Sequence, residues 1–218
     1  MTDASEASSD SIVYVIDDDR AMREAVETLL SSIGLTAQTF AATADFLAFD
    51  MPDLPSCVIL DVRLKGQSGL VAQKKISQQL RLPVILMTAH GDIPMSVSAM
   101  KAGAVDFLAK PFRGQDMVDA VNHALETDRA RRKTERSLAA LRKLYGYLTQ
   151  RERTIMAMVA GGLVNKQIAA QLNLSEITVK IYRAQAMKKM ESYSFADFVL
   201  KAEALGLLDH QYRSAQRA

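Results

Sequence analysis

The sequence predicts an α/β domain, a doubly wound five-stranded parallel sheet of order 2-1-3-4-5, joined by a helical linker to an all-α domain. Three observations carry the prediction. Apolar, β-branched runs alternate with segments of helical period over residues 11–125, the pattern of βα units wound around a parallel sheet. Four of those runs close on a polar residue, at Asp17, Asp61, Thr88 and Lys110. Beyond residue 125 the pattern turns wholly helical and the charge reverses. Residues 1–125 hold ten Lys and Arg against sixteen Asp and Glu, residues 126–218 seventeen against nine.

Residues 1–10, rich in Ser, Ala and acid, read as a disordered tail. Ile12-Val13-Tyr14-Val15-Ile16 is the first strand and ends in Asp17-Asp18-Asp19. Met22, Ala25, Val26, Leu29, Leu30 and Ile33 then recur at helical spacing, with Gly34 as the C-terminal cap. A weaker alternating strand at 36–40 and a short helix at 43–49 follow. Cys57-Val58-Ile59-Leu60 is a buried strand closed by Asp61, before a loop with Gly66 and Gly69. A helix over 70–80 leads through Pro83 to the strand Val84-Ile85-Leu86-Met87, which ends in Thr88. Another over 93–102 leads through Gly103 to a strand at 105–109, which ends in Lys110, and the last helix starts near Gly114. Such a series favours the flavodoxin-like order, whose switch point between strands 1 and 3 sets Asp17, Asp18 and Asp61 side by side.

Three neighbouring carboxylates repel one another, and each resists ionisation unless a hard cation lies between them. Mg²⁺ suits such a site because it takes one or two carboxylates, keeps waters and recruits phosphate oxygens. Asp61, so neutralised, can attack a phosphoryl group while Lys110 and the Thr88 hydroxyl spread the charge on the transferred group. Singly, each residue also fits a plainer role: the aspartates or Thr88 as helix caps, Lys110 as a solvated charge. Four polar residues closing four strands favour a site.

Cys57 is the only cysteine, so no intrachain disulfide can form, and a buried thiol in a reducing cytoplasm is expected. No apolar run approaches a membrane span, and the start Met1-Thr2-Asp3-Ala4-Ser5-Glu6 lacks the features of a signal peptide. A globular protein without a membrane partner is expected.

The linker spans 126–145. Its stretch ETDRARRKTERSLAALRK has neither Gly nor Pro and prolongs the preceding helix. Leu138, Leu141, Leu144 or Tyr145, and Leu148 recur at three or four, which suits packing on the second domain in preference to a dimer seam. Arg129, Arg131, Arg132 and Lys133 fit either DNA phosphates or a solvated face. Thr149-Gln150-Arg151-Glu152 is a capping box that starts a helix through Ile155, Met156 and Val159, stopped by Gly161-Gly162. Asn165 is expected to cap a two-turn helix ending at Leu172. Asn173 supplies a left-handed turn, Ser175 caps a helix over 176–190, and a last helix at 194–205 closes at Gly206. This is a helix-turn-helix. Val179, Ala186 and Met190 face inward on its second helix, while Lys180, Arg183, Ala184 and Lys188 form an adjoining stripe with a small residue at its centre, able to enter a major groove. Charge alone leaves a four-helix packing module with a solvated basic face equally open.

The motifs add a resemblance. Val15-Ile16-Asp17-Asp18-Asp19, Leu60-Asp61-Val62-Arg63, Met87-Thr88-Ala89-His90-Gly91-Asp92 and the run from Lys101 to Phe112 containing Ala109-Lys110-Pro111 resemble the receiver domain of two-component response regulators, especially FixJ-like ones, over 11–125. The resemblance implies Mg²⁺ on Asp17, Asp18 and Asp61, and transfer to Asp61 from a phosphohistidine on a sensor histidine kinase. It implies Thr88 and Lys110 holding the phosphoryl group, Phe107 as a switch aromatic, and a cis Lys110-Pro111 bond. The loop departs from the family's usual Pro and Met at Lys65 and Gln67. Leu148 to Glu152, Gly162 to Ala169 and Ser175 to Lys180 resemble the LuxR-type DNA-binding domain, within 146–212. That implies base contacts at Lys180, Ile181 and Ala184, and backbone contacts at Thr178, Arg183, Lys188, Asn165 and Lys166. Asn173, commonly Gly, and Tyr182, often His, depart from that family. Expected partners are the kinase, double-stranded promoter DNA, RNA polymerase and a second copy of the chain on phosphorylation. Aspartate-nucleophile phosphatases share the nucleophile and metal, but carry an acid where this chain has Arg63, which cannot donate a proton at neutral pH. A DNA-binding regulator indifferent to phosphorylation is the other alternative.

Overall fold

The computed structural model describes residues 11–64, 67–89 and 93–207. They divide into two compact units, the first ending at Arg132 and the second starting at Lys133. The first is built on five parallel strands, β1 (Ile12–Ile16), β2 (Thr36–Phe40), β3 (Ser56–Asp61), β4 (Val84–Thr88) and β5 (Asp106–Ala109). Their order is β2-β1-β3-β4-β5, as the sequence predicts. Arg63–Leu64 and Gln67–Ser68 make a small antiparallel ladder outside this sheet. The predicted tail, Lys65, Gly66, His90, Gly91, Asp92 and residues 208–212 lie outside the described residues.

Strand side chains alternate between two apolar layers, as a period of two requires. Val13, Val15, Ile59, Ile85 and Met87 pack with Val26 and Leu30 of α1 (Arg20–Ser32) and with Met117 and Val121 of α5 (Gly114–Gly146). Tyr14, Ile16, Leu60 and Leu86 pack with Phe46 of α2 (Thr43–Ala48), Ala72 of α3 (Gly69–Lys75) and Ala99 of α4 (Ile93–Lys101). β3 is buried along its whole length, the environment of a central strand covered on both faces. Cys57 is a buried free thiol within it, its pKa pushed up by burial and by the charge of Asp128.

The helix expected over 70–80 is α-helical only to Lys75. It continues as a π turn, Ile76–Leu80, and ends at Arg81 in the left-handed region, φ 57°. Leu82 stands before Pro83, whose ring disfavours the helical conformation there, so the chain must leave the helix at this point.

α5 is one continuous helix of 33 residues, so the charged stretch does prolong the last helix of the sheet domain. Residues 126–132, read from sequence as the start of the linker, lie in the first compact unit. In the second unit, Leu141, Leu144 and Tyr145 rest against a core of Leu148, Ile155, Met156, Ile168, Val179, Ala186, Met190 and Phe198. Of the leucine series, Leu141, Leu144 and Leu148 thus pack within the second unit, while Leu138 is not part of that cluster. α6 (Gln150–Ala160), α7 (Asn165–Leu172), α8 (Glu176–Lys189) and α9 (Phe195–Ala204) follow. Both halves of the Thr149 capping box form, Thr149 N donating to Glu152 Oε2 at 2.7 Å and Glu152 N to Thr149 Oγ1 at 3.3 Å. Asn173 takes the left-handed turn at φ 53°, and Ser175 caps α8 through Thr178 N.

One expected cap is displaced. Val164, not Asn165, occupies the N-cap of α7, and its amide is taken by Gln167 Oε1 at 3.0 Å. Gln167 reaching back removes the need for a capping side chain. Asn165 becomes the first helical residue.

Gly69 is a point where the fold tolerates no side chain. A Cβ there would lie 2.4 Å from Asp61 O and 2.6 Å from Val62 Cα. Gly69→Ala is expected to cost at least about 2 kcal/mol through overpacking against backbone. The check is a lower urea midpoint at constant slope; an unchanged midpoint contradicts the close approach.

Candidate functional site

Parallel register brings the strand ends together. Ile16 pairs with Leu60 and Thr88 with Ala109, so Asp17 emerges beside Asp61 and Lys110 beside Thr88. Asp17 and Asp61 are buried, Asp18 is half-buried, and one carboxylate oxygen from each lies within 4.8 Å of the others. Asp19 belongs elsewhere. Its side chain caps α1 by accepting from Ala21 N at 2.9 Å, while its own amide donates to Asp17 Oδ1 at 2.9 Å. Of the consecutive aspartates, two therefore join the cluster and the third starts the helix.

Lys110 Nζ donates to Asp17 Oδ2 at 2.8 Å and to Asp61 Oδ1 at 3.1 Å. Burial acts to lower the lysine pKa, but hydrogen bonds and charge from Asp17 and then Asp61 outweigh it and hold the group above its usual value. Lys110 stays a cation between two buried anions. Its amide donates to Thr88 O at 2.7 Å, and the Lys110-Pro111 bond is cis. Thr88 is fully buried at the end of β4. Phe107 is half-buried on β5 against the layer holding Tyr14, Leu60 and Leu86. The donor set is all oxygen, three carboxylates and no nitrogen or sulfur, which fits a hard cation such as Mg²⁺.

In the second unit, Val179, Ala186 and Met190 are fully buried, as predicted, while Lys180, Ile181, Ala184 and Lys188 of α8 are exposed. Lys166 is exposed too. Thr178 is half-buried, its Oγ1 2.8 Å from Ser175 Oγ. Arg183 is turned inward from the stripe. Its Nη1 donates to Asn165 Oδ1 at 3.1 Å, and its guanidinium lies 5.5 Å over the Phe195 ring. Sequence reading missed this pair, because its partners stand 18 residues apart on different helices. It also missed the ion pair of Lys189 Nζ with Glu152 Oε2 at 2.7 Å, although the capping box had singled out Glu152.

Comparison with known proteins agrees with this arrangement. The family model of the response regulator receiver domain matches residues 13–122, and that of the LuxR family of bacterial regulatory proteins matches 147–202. The chain belongs to the two-component response regulators that join a receiver domain to a LuxR-type DNA-binding domain and regulate transcription. Nodulation protein W of Bradyrhizobium diazoefficiens is 50% identical over 203 residues, 93% of this chain and 89% of that protein. The transcriptional regulatory protein FixJ of Azorhizobium caulinodans is 39% identical over 196 residues, 89% of this chain and 93% of that protein. Among solved structures, the response regulator StyR aligns with a TM-score of 0.76 at 39% identity, over 89% of this chain and 98% of that one. Full-length FixJ from B. japonicum aligns at 0.52 and 35% identity, over 91% and 98%. No helix among the described residues is long and apolar enough to cross a membrane.

Burial acts to raise the Glu152 pKa, but hydrogen bonds from Lys189 and Thr149 outweigh it and hold the carboxyl below its ordinary 4.5. A lowered folded pKa stabilises above the ordinary value, and that contribution is lost as pH falls through the folded one. Glu152→Gln should therefore destabilise the second unit by about 2 kcal/mol at pH 7. The gap from wild type in denaturant unfolding should shrink as pH falls below 4.5 and close once it has passed through the lowered folded pKa; a gap independent of pH would exclude the carboxylate as its source.

Proposed function

We propose that Asp61 is the phosphoacceptor of this response regulator and that its phosphorylation by a sensor histidine kinase governs DNA binding. The observation that carries this reading is Lys110 Nζ bridging the buried carboxylates of Asp17 and Asp61, with Asp18 alongside. A carboxylate oxygen of Asp61 forms the new bond to phosphorus as the bond to the kinase histidine nitrogen breaks. Lys110, already at the site and protonated, takes a phosphoryl oxygen as the charge shifts, and the Thr88 hydroxyl donates to another. A bound Mg²⁺ would be held by Asp17, Asp18 and Asp61 and would add positive charge beside the same oxygens. Drawing Thr88 towards the phosphoryl group frees volume that Phe107 fills, which biases a two-state element between β4 and β5.

Residues 11–125 act as the receiver, 126–145 as the linker and 146–212 as the DNA-binding domain. Lys180, Ile181 and Ala184 read base edges, while Thr178, Lys188, Lys166, Asn165 and Arg183 serve the backbone. The inward Arg183 holds Asn165 in place as well as facing DNA. The protein dimerises on phosphorylation in the cytoplasm, binds a promoter element of two half-sites and engages RNA polymerase. Arg63, exposed after Asp61, offers no general acid for phosphatase turnover.

Intact mass after incubation with Mg²⁺ and acetyl phosphate tests the acceptor. One phosphate adduct is expected on the wild type and none on Asp61→Asn; an adduct that survives the substitution removes Asp61 from the reading. For the interface, Lys188→Gln should weaken binding to all duplexes alike and flatten the slope of log K against log salt by about 1. Lys180→Gln should in addition relax sequence preference; equal losses on every duplex would make Lys180 a backbone contact.

A further inference from the structure

The buried face of α5 runs Met117, Ala120, Val121, Ala124, Leu125 and then Asp128. The last place of an apolar stripe is held by a carboxylate with no solvent exposure. A buried carboxylate left without partners would be strongly destabilising. Each of its oxygens instead accepts two hydrogen bonds: Oδ1 from Arg131 Nε at 2.9 Å and Nη2 at 2.6 Å, and Oδ2 from Arg132 Nε at 2.6 Å and the Ser56 amide at 3.0 Å. Arg132 also pairs with Asp53, in the segment leading into β3. Ser56 is the first residue of β3, and Asp61 is its last. One strand thus carries the proposed phosphoacceptor at one end and, at the other, a charged clamp on α5.

The clamp lies beyond the part of α5 that the apolar core needs. Removing Asp128 would leave the five apolar positions before it in place, as well as every residue of the carboxylate cluster. What it would free is the segment 126–132, the part of the linker that belongs to the first unit. We infer that Asp128 is a positioning residue that fixes this segment to the base of β3, so that the state of the receiver sets the path α5 takes as it leaves the first unit. Without it, phosphorylation proceeds but raises DNA affinity far less. The inference rests on Asp61 being the acceptor, and its test separates the two ideas.

Full-length wild type, Asp128→Ala and Asp128→Asn are compared before and after Mg²⁺ and acetyl phosphate. The DNA probe is a duplex selected from a random-sequence pool by the treated wild type. Asp128→Ala should gain the same phosphate adduct as wild type and lose at least tenfold of the amide-exchange protection of residues 126–132, with protection of β1 and β3 retained. The affinity gain on phosphorylation should fall at least fivefold. Asp128→Asn, which can still accept from Ser56 N but loses the charge that binds both arginines, should lie between the two, and it carries the test if the alanine variant fails to fold. Normal adduct with an undiminished affinity gain overturns the inference, and so does protection of 126–132 that survives both substitutions. Absence of an adduct on the wild type overturns the acceptor reading instead, and the exchange measurement then still decides whether Asp128 fixes the segment.

Discussion

The ammonium of Lys110 is the interaction on which the first unit's rim depends. Two buried carboxylates at the ends of neighbouring strands repel each other, and each loses hydration on folding. One cation at 2.8 and 3.1 Å from them compensates both. Its position follows from the fold: β5 delivers Lys110 next to the end of β4. Asp18 completes an oxygen site beside the pair, so the rim is suited to a hard cation.

β3 joins this rim to the opposite end of the sheet. It is buried on both faces and flanked by β1 and β4, so displacement at either end meets close-packed neighbours. Asp61 terminates it on one side. On the other, the Ser56 amide is tied to Asp128 on α5, and the same helix continues into the linker. Gly69 lies against the Asp61 and Val62 backbone so closely that it excludes any Cβ, which fixes the path of the chain as it leaves the site.

The second unit uses the same device at smaller scale. Glu152 is buried at the start of α6, where the Thr149 amide and hydroxyl and Lys189 of α8 all converge on its Oε2. The cap and the interhelix ion pair are thus one structure, and it sets the C-terminal end of α8 against α6. Arg183, bonded to Asn165 and stacked over Phe195, ties α7 and α8 together on the way to the exposed face of Lys180, Ile181 and Ala184.

Much of this was legible in the chain itself, because it depends on local period and on residue type. Alternating strands and helices gave the parallel sheet, and strand-end polarity selected Asp17, Asp61, Thr88 and Lys110. Thr149, Asn173 and Ser175 marked turns and caps whose geometry depends on two to four consecutive residues. What sequence could not decide was the partner of each polar group, since that depends on register and on distance through space. Asp19 caps a helix while its neighbours join the cluster, Asn165 answers Arg183 instead of capping α7, and Glu152 meets Lys189 from 37 residues away. In sequence, Asp128 stands among the many charges of the stretch 126–143 with nothing to single it out. Only the packed structure buries it against β3, because 72 residues separate it from the amide that it receives, and no local pattern records such a pairing.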